Sequence, residues 1–191
     1  MNRRKAITRI VWTGIGGTLL FSGYKWRDWH KTPDLAWLQN HKDLVTALTE
    51  TIIPTTDTPG AREAGVADYI FVMIRDATDV MTANKFIDGL KDLDHHCRSH
   101  YGHPYSQCSP EEQRTVLQHF ADQAKPFNNL AGKIETAYLG APFFYTLKRL
   151  TAIGYCTSEA GATKGLAYLY IPGHYQGCIP LQPGQKAWAT R

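Results

Sequence analysis

Between residues 35 and 153 the apolar side chains recur at three- and four-residue intervals, and nowhere does an every-other-residue alternation last long enough for a strand. A 3.6-residue period puts such residues on one face of a helix, so the body of this 191-residue chain can close a core only by packing helix on helix. Helix punctuation agrees. Thr32-Pro33-Asp34 combines a capping hydroxyl, a proline at the first helical position and an acid in the first turn, and predicts a helix through Leu35, Leu38, Val45, Leu48 and Ile52 that Pro54 stops. Thr55 to Ala61 is turn chemistry. A second helix is predicted over 64–77 and a third over 84–99. Ser109-Pro110-Glu111-Glu112 is a capping box opening a fourth, ended by Pro126. Two more are expected over 129–139 and 143–153, divided at Gly140-Ala141-Pro142. From Tyr155 to Arg191 glycine, proline and aromatic residues dominate, with at most one short helix near 163–168. The expectation is an all-α bundle of about six helices, one domain over 32–191, with an irregular tail.

Residues 1–31 stand apart. They carry seven basic side chains and a single acid, Asp28, whereas the other 160 residues carry 14 basic and 16 acidic groups. The formal charge of +4 therefore belongs to the leader, and the body is slightly acidic. Nucleic-acid binding by counterion release needs Lys and Arg gathered on one face, and the body offers only the adjacent pair Lys148-Arg149. Arg3 and Arg4 precede an uncharged run, Ile10–Tyr24. As a helix that run would measure roughly 22 Å, short of a bilayer core of about 30 Å. A basic segment before a short apolar run reads as an export signal, and the paired arginines point to the twin-arginine machinery. Phe21-Ser22-Gly23-Tyr24 lacks the small residues of a cleavage site, which leaves a retained N-terminal anchor as the alternative. Gly14-Ile15-Gly16-Gly17 falls inside the run with no strand before it and is not a nucleotide loop.

Four cysteines, Cys97, Cys108, Cys156 and Cys178, allow three pairings. Sequence proximity favours Cys97 with Cys108 and Cys156 with Cys178, and a bridge to a partner chain stays open. No C-x-x-C or C-x-x-C-H occurs, so neither a thioredoxin-like site nor a c-type haem attachment is encoded. No G-x-S-x-G, H-E-x-x-H or Walker loop is present. Asp92 and Asp94, and Glu111 and Glu112, are close in sequence but do not share a helix face. The remaining chemical candidate is the run His95 to His103. His96 and His100 at i,i+4 share a helix face, with Cys97 and His103 as further ligands of a conceivable metal site. A solvated helix C-terminus enriched in histidine is the simpler reading. In the tail, Tyr155, Tyr170, Tyr175 and Trp188 are candidates for contact with a partner, since Tyr and Trp are enriched at interfaces.

Two blocks carry a resemblance. The first is Ile52-Ile53-Pro54, Thr58-Pro59-Gly60-Ala61 and Ala64-Gly65-Val66; the second is Gly154-Tyr155-Cys156-Thr157-Ser158-Glu159-x-Gly161 followed by Tyr170-Ile171-Pro172-Gly173-x-Tyr175-x-Gly177-Cys178. In this order, behind an arginine-pair leader, they resemble the gluconate 2-dehydrogenase subunit 3 family. The resemblance implies the small subunit of a periplasmic, membrane-associated sugar or sugar-acid dehydrogenase, with no catalytic site and no cofactor in this chain. It implies a large flavoprotein partner of the glucose–methanol–choline type carrying FAD, and a multihaem cytochrome partner carrying c-type haem. It further implies that the small subunit assists folding, assembly and twin-arginine export of the flavoprotein.

Overall fold

The computed structural model describes residues 31–124, 142–171, 173–174, 177–178, 180–181 and 183–189. Arg3, Arg4, the apolar run of the leader, Tyr175 and the helix expected over 129–139 lie outside the described residues. Within them the chain is helical: α1 Leu35–Asn40, α2 Lys42–Ile52, α3 Val66–Asp76, α4 Val80–Tyr101, α5 Pro110–Gln123 and α6 Phe143–Thr157. A single 3₁₀ turn, Tyr105–Gln107, joins α4 to α5, and a π-helical turn, Gly161–Gly165, follows α6. The all-α bundle expected from the apolar spacing is the observed architecture.

Local chemistry sets the element ends, in places differently from the sequence expectation. Asp34, not Thr32, caps α1: its carboxylate accepts from Trp37 N at 2.9 Å. Pro33 therefore sits before the cap rather than inside the helix. The single helix expected over 35–52 breaks at His41, whose Nδ1 lies 2.8 Å from Trp37 O while its ring stacks on the Trp37 indole at 4.0 Å. A side chain competing for a backbone carbonyl loosens the helix there. α4 starts earlier than the apolar spacing suggests because Asp79 accepts from Thr82 N at 2.9 Å, and it ends where Gly102 turns left-handed, φ 81°. The capping box on α5 forms as read, Ser109 Oγ receiving Glu112 N while the Glu112 carboxylate receives Ser109 N. α5 ends at Gln123, before Pro126 is reached. α6 runs past Ile153 to Thr157, so Tyr155 is helical and the irregular tail begins only after it.

The core is built from one face of every helix longer than two turns. Leu48, Val66, Ile70, Ile74, Phe86, Leu90, Leu93, Leu147 and Leu150 are buried in one continuous cluster. α6 packs against α2, α3, α4 and α5, so it is the central element despite lying late in the chain. A buried polar knot fastens α2, α4 and α5 together. Tyr105, wholly buried, donates its hydroxyl to Thr51 Oγ1 at 3.0 Å and its amide to the Asp94 carboxylate at 3.1 Å, while Gln113 Nε2 donates to Tyr105 O at 3.0 Å. Arg98 Nε closes the knot on Asp94 at 2.7 Å. Partnering every polar group is what makes such a cluster tolerable in a core. Burial raises the Tyr105 phenol well above its ordinary value.

Candidate functional site

The two sequence blocks, a hundred residues apart, meet in space, and Tyr155 is where they meet. The first block forms the loop between α2 and α3. Glu50, in the last turn of α2, gathers that loop: its carboxylate accepts from Thr55 N (2.9 Å), Thr55 Oγ1 (2.7 Å) and Arg62 N (2.9 Å). Burial pushes the Glu50 carboxyl up, but those hydrogen bonds outweigh it and hold it below the ordinary carboxylate range. Ala61 N donates to Ile53 O at 2.9 Å, closing the loop, and Pro59, Gly60 and Ala61 are buried. A Cβ on Gly60 would collide with Thr55 Oγ1 and lie 2.6 Å from both Glu50 Oε1 and Thr55 N. Gly65, left-handed at φ 68°, turns the chain into α3.

The second block is the exit from α6. Tyr155 Oη donates to Pro59 O at 2.7 Å, a buried bond from α6 to the loop. Ser158 Oγ donates to Tyr155 O at 2.8 Å and accepts from Gly161 N at 3.0 Å, folding the chain back. Gly161 lies so close to Tyr155 O that a Cβ could not fit, and Gly165 comes against the Tyr155 ring edge, 2.5 Å from Oη to its ideal Cβ. Gly154 is equally constrained, its ideal Cβ falling 2.6 Å from Tyr69 Cδ1 on α3. At Gly154, Gly161 and Gly165 a ring or a carbonyl takes the room of a side chain.

Tyr155, expected among the partner contacts, is buried inside its own domain, where its hydroxyl serves the loop. Tyr170 and Trp188 are surface residues, Tyr170 at 84% exposure. Tyr168, Leu169, Tyr170 and Ile171 leave the junction as an exposed apolar run. The tail returns to it: Ala167 N donates to Ala187 O at 2.8 Å and Ala189 N to Ala167 O at 2.9 Å, which sets Trp188 beside Ala167. Lys186 Nζ, donating to Lys164 O at 2.7 Å, adds a second tie.

The histidine cluster separates into two. His96 and His100 do stack, ring centroids 4.0 Å apart, and the partner that joins them is His119 of α5, 5.0 Å from His96. Cys97 points the other way, into the core, and His103 stacks on Tyr101 with its Nδ1 3.5 Å from Cys108 Sγ. The metal-ligand set His96, His100, His103 and Cys97 is thus not brought together. Among the described residues no group of three or more His, Cys, Asp or Glu side chains is placed to hold a metal ion. His119 lies outside the run 95–103, and helix packing, not chain proximity, delivers it. Burial, then the neighbouring His100 and His119, hold His96 below the ordinary histidine range. No disulfide joins the four cysteines; Cys97 and Cys108 are buried, Cys156 and Cys178 exposed.

A groove of about 820 Å³ runs between α2, α5 and α6, edged by Arg114, Gln118, Asp122, Phe144 and Lys148. Gln118 Nε2 donates to Asp122 at 3.1 Å, and His119 Nε2 and the Gln123 amide lie 2.8 Å apart. These are helix-surface pairings at i,i+4. No helix among the described residues is long and apolar enough to cross a membrane.

These features define an all-α domain whose patterned residues serve an internal junction and lead into an exposed aromatic run. A family model described as gluconate 2-dehydrogenase subunit 3 matches residues 39–173, and the chain belongs to that family. The matched span begins in α1 and ends within the exposed tail, so it includes both halves of the Tyr155 junction. Membership makes the chain a component of a dehydrogenase complex and implies partner subunits. No curated protein and no solved structure matches it.

Proposed function

We propose that the chain is the non-catalytic small subunit of a membrane-associated, periplasmic, FAD-dependent sugar or sugar-acid dehydrogenase. In this reading it folds with the large flavoprotein subunit and carries it through the twin-arginine pore, while FAD and c-type haem reside in the partner chains. The observation that carries it is the division of labour around Tyr155. Among the described residues, the family pattern is spent on closing a junction inward and on presenting Tyr170 and Ile171 outward. Exposed aromatic and aliphatic residues in sequence are the kind of surface a partner subunit covers.

The test is purification of the tagged full-length chain from its own cells. A large chain with flavin absorbance should elute with it, and Arg3→Lys/Arg4→Lys should abolish dehydrogenase activity in the periplasmic fraction. Turnover of an aldose, polyol or aldonate by the isolated chain, or periplasmic activity unchanged by the arginine substitutions, would sink the proposal.

A further inference from the structure

Of the three ways to pair four cysteines, the fold makes one natural. Cys97 lies in the last turns of α4 and is wholly buried; Cys108 caps the 3₁₀ turn directly before the Ser109 capping box and is buried as well. Both sulfurs belong to the same buried cluster, and Tyr105 N, three residues before Cys108, donates to Asp94, three residues before Cys97, which ties the two segments together. Cys108 Sγ also lies 3.5 Å from His103 Nδ1 and 3.6 Å from Pro104 O, and Cys108 N donates to Tyr105 O at 3.1 Å. Cys156 and Cys178 are exposed.

We propose that Cys97 and Cys108 are a built cross-linking site, joined as a disulfide when the chain folds in the presence of a disulfide oxidant. The bond would fasten the end of α4 to the start of α5, locking the buried knot of Asp94, Tyr105 and Thr51 between them. Both sulfurs are carried by ordered elements, the end of α4 and the 3₁₀ turn that precedes α5. The closed segment, residues 97–108, already turns on the left-handed Gly102 and on Pro104.

The reaction is thiol–disulfide exchange with a small or protein disulfide. The Cys108 sulfur, having lost its proton, attacks one sulfur of the oxidant and expels the other as a thiolate. The Cys97 sulfur then displaces the remaining half, giving the Cys97–Cys108 bond. Two electrons pass to the oxidant, and the two cysteine protons end on the two thiols it releases. In the finished fold burial raises both thiols, Cys108 as well as Cys97, the latter to about 12, which disfavours the attacking thiolate at either step. The bond therefore forms during folding.

The inference does not rest on the export or assembly role, and its test is independent of both. The full-length chain carrying Cys156→Ser/Cys178→Ser, which touches only exposed positions, is refolded from reduced denaturant into a buffer of reduced and oxidised glutathione. Denatured again without reductant, it should show no free thiol, and its digest should contain one peptide linking Cys97 to Cys108. Reduction should lower its Tm by roughly 5–10 °C. Two free thiols per chain, stable glutathione adducts on either cysteine, or a Tm indifferent to reduction would overturn it.

Discussion

Tyr155 Oη lies 2.7 Å from the carbonyl oxygen of Pro59, 96 residues earlier in the chain. The bond is buried, so neither group has water to fall back on, and the Pro59 carbonyl depends on the phenol. Tyr155→Phe keeps the ring and removes the donor. A loss of about 1–3 kcal/mol in urea unfolding is expected, with the denaturant slope unchanged. A change within experimental error would mean that the hydroxyl is not what holds the loop.

Around that bond the glycines divide into those that fill a contact and those that do not. Gly60→Ala and Gly161→Ala place a methyl group against Thr55 and against the Tyr155 carbonyl, and each should cost upwards of about 2 kcal/mol. Gly173→Ala, whose ideal Cβ meets nothing within 4 Å, should stay within about 0.5 kcal/mol of the parent. Equal effects at the three positions would contradict the packing.

Glu50 links the same loop to pH. Its folded pKa lies below its unfolded value near 4.5, so its contribution is present above that pH and is lost as pH falls through the folded value. Between pH 6 and pH 3 the Tm of the parent should fall more steeply than that of Glu50→Gln. Parallel curves would show that the carboxylate charge does not matter.

The His96–His100–His119 stack works in a higher window. Because His96 is held below its ordinary value, the folded state binds fewer protons than the unfolded chain. Stability from this site is therefore present above about pH 6.5 and is lost as pH falls toward the folded pKa. An NMR titration should place the His96 midpoint below that of an unfolded peptide and move it upward in His119→Ala. A midpoint unmoved by the substitution would exclude His119 as a cause.

On the surface, Tyr170→Asp/Ile171→Asp should leave Tm unaltered, because both side chains are largely exposed, while reducing recovery of the partner chain on the tagged subunit. Full recovery would move the docking surface elsewhere.

How much of this could be read from residues alone follows from the range of each interaction. The Ser109 capping box is a four-residue event and forms as the sequence implies. Asp34 and Asp79 are equally local caps, but Thr32-Pro33 offers a competing signal beside the first, and the second lies outside the span 84–99 that the sequence marks as helical. The break at His41 was hidden because the apolar spacing on both sides stays in phase. Tyr105 and Tyr155 were beyond reach for a different reason. A tyrosine in a polar or glycine-rich stretch looks like surface until the helices that bury it are in place. The pattern shared with the family marked the right segments, Pro59–Gly60 and Gly154–Tyr155, without indicating that they touch.

The position of α6 in the chain sets a clock. Its side chains complete the core against four other helices, and its Tyr155 secures a loop that was synthesised 96 residues before. At a ribosomal rate of about 5–20 residues per second, that loop waits roughly 5–20 s for the residue that pins it. Until α6 is made, the faces of α2 and α3 that it covers in the finished fold lack that cover, and exposed apolar surface of this kind is what chaperones shield. The domain cannot mature from its N-terminus onward; it becomes whole only near the end of its synthesis.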